Sequence, residues 1–231
     1  MTRASLRRLV WPLSGLLVLE LILLGLGTWQ VHRLHWKEAI LEDIARAEAA
    51  PAVPLAGKPG PFTKVSVSGR LRHDLAASYG ADVRDTATGP QLGSYLIVPL
   101  ERSNEPTLLV DRGWVPDKRS GPINEPQGMV SISGYIHPAD HPGMFSARDD
   151  PATRTFYTLD PVAIGAALGL KNVAPFVLIA LGPPPAEHYP EPATHLPRPP
   201  NDHFIYAVTW YGLALALVVM FVVWARGMLL A

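Results

Sequence analysis

His203 lies in RPPNDHFIYAVTWY, residues 198 to 211, where a proline-rich stretch gives way to an almost unbroken apolar run. If the chain turns helical there, His203, Tyr206 and Trp210 fall at i, i+3 and i+7, on one face. An imidazole backed by aromatic rings in apolar surroundings has the chemistry of an axial haem ligand. The same pattern suits a plain interfacial histidine beside a Tyr and Trp belt, and the residues alone leave both readings open. A second candidate is IHPADHPGMF, where His137, Asp140 and His141 carry metal-binding side chains. Pro138 and Pro142 argue against helical presentation, so this spacing reads as a surface loop rather than a metal site. Arg112, in LVDRGWVP (109–116), has the fork that binds anionic groups, with a solvated or salt-bridged role as the ordinary alternative. The chain has no G-x-S-x-G elbow, phosphate-binding glycine loop, H-E-x-x-H or cysteine. No catalytic residue is therefore expected, and the chain reads as a non-enzyme.

The elements that must position these residues begin at the two ends. Residues 9–29 contain one charge, Glu20, and residues 205–225 contain none. Each has about the 20 residues needed to cross a bilayer core, and each is apolar all the way round. The first run is longer than a signal-peptide core, and the small residues near Ala47 to Ala50 lie well beyond it, so an uncleaved anchor is expected. Arg3, Arg7 and Arg8 before the first span and Arg226 after the second predict that both termini are cytoplasmic. Arg33 and Lys37 count for little, because they open a long segment that translocates largely regardless of charge. The middle is then expected outside, in the periplasm or an equivalent compartment. Glu20 is costly at mid-membrane unless protonated, paired or facing a polar cavity; a protonated carboxyl hydrogen-bonded to the neighbouring helix is expected, with a proton or partner-contact role as the alternative. Gly212 and Ala216 form a small-x-x-x-small pair suited to close helix approach, within the chain or with another membrane protein.

Between the spans, QVHRLHWKEAILEDIARAEAA continues the helical signal to Pro51, predicting a stalk over 30–50, with Trp29 and Trp36 as an interfacial belt. From residue 62 the period becomes strand-like. KVSVSGRL (64–71) and MVSISGYI (129–136) alternate apolar with small polar residues, and Gly69 and Gly134 mark points of bend or bulge. Further strands are expected at 94–100, 107–115, 154–159 and 175–181, the second of them ending in a glycine turn. Asp160 as N-cap, Pro161 at the first position and Gly169 at the end predict one short helix. These elements predict a membrane protein of α+β class, with two transmembrane helices flanking a β-rich outer domain (51–182) built as a small antiparallel barrel or sandwich. Residues 183–200 hold eight prolines, which predicts an extended strap over 183–204. The composition, 48% hydrophobic and 17% charged with zero net charge, excludes a disordered chain and gives no reason to expect nucleic acid.

Three stretches taken together, LGTWQVHRLHWK, LVDRGWVP and PNDHFIYAVTWYGLALALVV, resemble the Surfeit locus protein 1 family of cytochrome c oxidase assembly factors. Their order, spacing and two-span topology are similar over nearly the whole chain. The resemblance implies a bacterial inner-membrane protein that assists maturation of the oxidase by handling haem a on its way to the largest subunit. That subunit, other assembly factors and the lipid bilayer would be its partners. The histidine proposed as haem ligand in bacterial members falls on His203. Two asparagines commonly precede it in the family, whereas this chain has Asn201 and Asp202. Two other readings stay open on the residues: an outer-facing metal-dependent hydrolase at His137, Asp140 and His141, and a purely structural anchor of another complex.

Overall fold

The computed structural model describes residues 3–86, 89–185 and 188–230. Parts of the expected N-terminal segment, strap and C-terminal segment, at residues 1–2, 186–187 and 231, lie outside the described residues. The chain divides into two compact units, one comprising residues 1–43 and 198–231, the other residues 44–197.

The first unit is a pair of helices. Helix α1, Arg3–Ala49, is continuous through the expected span and stalk, since nothing between Pro12 and Pro51 breaks it. Helix α3, His203–Leu230, is the second apolar run; α2 belongs to the other unit. Both are long and apolar enough to cross a membrane. Hydroxyls within these runs bond to the preceding turn, Ser14 Oγ to Val10 O at 2.9 Å and Thr28 Oγ1 to Leu24 O at 2.8 Å, so each is satisfied within its own helix.

The second unit is β-rich. Its strands are β1 (Val53–Pro54), β2 (Lys64–Leu71), β3 (Ala77–Thr86), β4 (Gly89–Glu101), β5 (Thr107–Pro116), β6 (Met129–Pro138), β7 (Thr155–Phe156) and β8 (Val173–Ala180), with α2 at Pro161–Ala167. They form one eight-stranded sheet in the order β1-β2-β6-β8-β5-β4-β3-β7. An additional β2–β4 pairing, Arg70 with Glu101 and Leu71 with Leu100, closes the five strands β2-β6-β8-β5-β4 into a barrel. The pairing is mostly antiparallel, with β1–β2, β3–β7 and β5–β8 parallel. The alternation read in the sequence fills the barrel: Val65, Val67 and Leu71 from β2 meet Leu108 and Val110 from β5, Ile136 from β6, and Phe176 and Leu178 from β8. The opposite face of β5 and β8, with Leu109 and Val177 fully buried, accompanies the buried Ile164 of α2. That helix starts as its sequence predicts, with Asp160 Oδ1 accepting from Val162 N at 2.9 Å and Ala163 N at 3.2 Å, and Gly169 follows it at φ +75°.

Two local expectations are corrected. Gly69 and Gly134 carry no bulge, because the β2–β6 register runs unbroken through both. They are glycines because a Cβ would collide with the backbone of a third strand, at Glu101 O and Ile179 O respectively, where the sheet curls to close. The strand expected over 154–159 reduces to β7. Asp149 Oδ1 takes Tyr157 N at 2.6 Å and Thr158 N at 3.2 Å, which removes those donors from the sheet. The proline-rich strap is stitched to the domain. It makes bridges from Tyr189 to Ile123, Glu191 to Trp114 and Ala193 to Leu181, and Leu196 is fully buried.

Candidate functional site

The two apolar helices meet along alternating four- and three-residue steps. The less exposed positions are Leu16, Glu20, Leu23, Gly27 and Gln30 on α1, and His203, Ala207, Trp210, Ala214, Leu217 and Phe221 on α3. This is the spacing of antiparallel helices that cross at a shallow angle. Gly27 permits the tightest approach, since a Cβ there would lie 2.8 Å from Tyr211 Cε1. The Tyr211 hydroxyl is 3.1 Å from Thr28 Oγ1.

At the end of this seam His203 Nδ1–H donates to Gln30 Oε1 at 2.7 Å. Gln30 is only 9% exposed, so the bond forms in low-dielectric surroundings where it is worth more than in water. With Oε1 as acceptor the proton sits on Nδ1, and Nε2 keeps the lone pair that binds a metal. Among the described residues nothing else engages that nitrogen. Trp210 shares the packed side of α3, whereas Tyr206 is 55% exposed and turned away from it. The structure therefore joins His203 to Gln30 and leaves Tyr206 on the outer surface. Asp202 is exposed and Asn201 Oδ1 is buried without a hydrogen-bond partner among the described residues. Glu20 Oε1 is likewise buried and unpartnered, so among the described residues the hydrogen bond expected from it to the facing helix is not made. Gly212 and Ala216 are exposed, and Gly212 meets nothing within 4 Å; the small residues at the helix contact are Gly27, Ala207 and Ala214 instead.

In the β-rich unit each residue of the LVDRGWVP stretch has a separate role. Between the pairs Tyr95–Trp114 and Ile97–Asp111 the β4–β5 register shifts, so Arg112 and Gly113 together oppose Leu96. Gly113, at φ +121°, is thus a bulge inside β5 rather than the turn that ends it. Trp114 is 1% exposed and its indole N–H donates to Asp82 O at 3.2 Å. Arg84 lies over both Trp114 and Tyr95, with its carbon 5.2 and 5.5 Å from the ring centroids. Tyr95 donates to Asp82 Oδ2 at 2.8 Å.

Asp111, 4% exposed, accepts from Gly113 N at 2.8 Å. Burial pushes its carboxyl from 3.8 up to about 7, against the smaller opposing pull of the Gly113 hydrogen bond and Arg84. Because the folded value lies above the unfolded one, the protein is more stable below about pH 4 by this group's contribution. That contribution fades as the pH rises towards 7, by an amount on the order of 4 kcal/mol. Asp111→Asn keeps an oxygen for Gly113 N and cannot ionise. Denaturant midpoints should then differ less between pH 5 and pH 8 for Asp111→Asn than for the native protein. An undiminished difference would place the titration elsewhere.

The loop candidates are not gathered into a site. His137 sits at the end of β6 with Nδ1 2.7 Å from its neighbour Pro138 O, and Asp140 N donates to Leu159 O. Among the described residues no three His, Cys, Asp or Glu side chains are grouped to hold a metal ion.

A family model described as the SURF1 family matches residues 17–215. A SURF1-like protein of Rickettsia conorii is 30% identical over 213 residues, covering 89% of this chain and 87% of its own. The Surfeit locus protein 1 of Xenopus tropicalis is 26% identical, covering 87% of this chain and 71% of its own. The human Surfeit locus protein 1 is 27% identical, covering 87% and 73%. The matched region runs from within α1, through the closed barrel, past the His203–Gln30 pair and into α3, and on that breadth the chain belongs to the SURF1 family.

Proposed function

We propose that this protein is a non-enzymatic assembly factor for cytochrome c oxidase that carries haem a on its way to the largest oxidase subunit, with His203 as the haem ligand. The observation that carries this reading is the hydrogen bond from His203 Nδ1 to Gln30 Oε1, which in the neutral ring leaves the Nε2 lone pair free to bind a metal. A metal-binding histidine characteristically donates its other ring N–H to a fixed acceptor, which sets the tautomer and raises ligand basicity. The residues therefore suit haem iron: His203 binds, Gln30 orients it, and the apolar helix surfaces keep water away. Haem brings its own redox chemistry, which serves the oxidase and not this carrier.

In this reading α1 and α3 hold the protein in a bacterial inner membrane, with both termini in the cytoplasm and the barrel in the periplasm. The charge placement described above supports that orientation. The exposed pair Trp29 and Trp36, at 53% and 51%, with Arg33 4.2 Å over the Trp36 ring, suits a membrane–water interface. The oxidase subunit and other assembly factors are the partners, met through the exposed surfaces of helices and barrel.

Deleting the gene tests the assembly role. Membranes of the deletion strain are expected to contain the oxidase subunits, with the haem a signal of assembled enzyme reduced several-fold. An unchanged oxidase spectrum and activity would reject the role, whatever the protein binds.

A further inference from the structure

The barrel is closed by its side chains at the core but opens at one end into a cavity of about 340 Å³. Its floor is continuous with the barrel interior: Leu71, Val130, Ile132 and Ala180 line it, and all four belong to the interior cluster or pack on it. Its roof is the proline-rich strap, held across the opening by Asn124 N donating to Tyr189 O at 2.7 Å and Tyr189 N donating to Pro122 O at 2.9 Å. Barrel mouths of this kind are preferred places for small ligands.

One cation enters this space, whose lining mixes the apolar floor with the polar side chains of Asn124, Ser131 and Tyr189. The bulge at Arg112 and Gly113 aims the Arg112 side chain into it, as bulges beside functional sites commonly do. Arg112 Nη1 donates to Asn124 O at 2.7 Å, which fixes the guanidinium and leaves its other N–H groups without a partner among the described residues. None of the described residues lining the cavity is acidic, and the His188 imidazole also lines it. Burial pushes the Arg112 guanidinium below the ordinary arginine value, with Glu125 only partly offsetting it. Arg112 is thus half-buried at the cavity with donors still open to an anion.

We infer that the barrel mouth binds a small carboxylic acid with an apolar body, its carboxylate on Arg112 and its body on the Leu71, Val130, Ile132 and Ala180 floor. The planar fork of arginine matches a carboxylate bidentately. The size limits the ligand to the small end of the usual range of pockets. This inference is independent of the haem reading.

The test uses the full chain in mild detergent, with 3-phenylpropionate as the probe and its neutral amide as the control, followed by ligand-observed NMR titration. The acid is expected to bind at least about tenfold more tightly than the amide. Arg112→Gln should erase that difference. Val130→Trp, which fills the floor and keeps the cation, should abolish binding of both, so a failure of either variant to fold leaves the other as the test. A short peptide with a free C-terminal carboxylate, run beside its amidated form, separates the sources. Tighter binding of the peptide acid than of 3-phenylpropionate would identify a chain terminus as the natural carboxylate. Equal binding of acid and amide, no binding of either, or an undiminished preference in Arg112→Gln would overturn the inference; the first is what a purely structural Arg112 gives.

Discussion

Gly113→Ala is expected to destabilise the β-rich unit by about 3 kcal/mol or more, among the larger single-residue effects the fold allows. Two costs combine. The residue stands at φ +121°, a conformation that side-chain-bearing residues seldom adopt and that alone costs on the order of 1–2 kcal/mol. A Cβ there would also overlap the Glu191 carbonyl and the Pro192 nitrogen. These are backbone atoms and cannot swing aside as a flexible side chain does. Relief would require the strap to lift, breaking Trp114 N to Glu191 O and Glu191 N to Trp114 O, both 2.9 Å. It would also separate Arg84 from Glu191, 3.6 Å apart. Gly128→Ala is the control, because Gly128 has φ +81° with nothing within 4 Å of a Cβ, so it carries the strain without the collision. Urea midpoints of the full chain in detergent, followed by the near-ultraviolet signal of buried Trp114, should fall much further for Gly113→Ala than for Gly128→Ala. Equal shifts would mean that the strap does not constrain this position. Lifting the strap also unroofs the cavity at Arg112, so the same substitution should weaken carboxylate binding there.

The glycine also shows where sequence reading stops. Period-2 alternation located β2 and β6 closely, because their apolar side chains all face one barrel interior. The Asp160–Pro161 start of α2 was equally legible, since the cap is a local hydrogen bond between neighbours in sequence. What alternation cannot report is the third strand that approaches a glycine, so Gly69 and Gly134 read as either a bend or a bulge and Gly113 as a turn. The strand β3, ASYGADVRDT, escaped for a related reason. Gly80 at φ +66° and a register shift between Tyr79 and Asp82 interrupt its alternation. Its charged residues Asp82 and Arg84 serve a network with Tyr95 and Trp114 instead of facing bulk solvent. Barrel closure rests on two β2–β4 residue pairs, too few to leave a pattern. At the helix pair His203 was legible from its place at the edge of an apolar run. Gln30 was not, because its partner lies 173 positions away. The local signal for it was the small residue Gly27 one turn earlier, which marks the α1 face that α3 approaches.

His203→Ala is expected to abolish the haem absorbance band of protein purified from cells that make haem a, and the Gln30 variants show why the band depends on more than one residue. Removing the imidazole deletes the only iron ligand the reading supplies, so the loss should be complete. Gln30→Leu leaves that ligand but removes the acceptor that holds Nδ1–H. The ring can then rotate and exchange tautomers, and Nε2 spends part of its time protonated and unable to bind iron. Loss of such an outer partner typically weakens metal binding by about 10- to 100-fold. The expected result is a band that remains but titrates away at lower dilution than in the native protein. Gln30→Glu retains an acceptor at the same reach and should hold the ring as well or better, since a carboxylate accepts more strongly than an amide. Asp202→Asn changes an exposed side chain and should leave the band unaltered. The rank order Gln30→Glu, then Gln30→Leu, then His203→Ala follows from one hydrogen bond and one lone pair. A band that survives in His203→Ala would exclude this histidine as the ligand, and equal affinities for the two Gln30 variants would exclude tautomer control by Gln30.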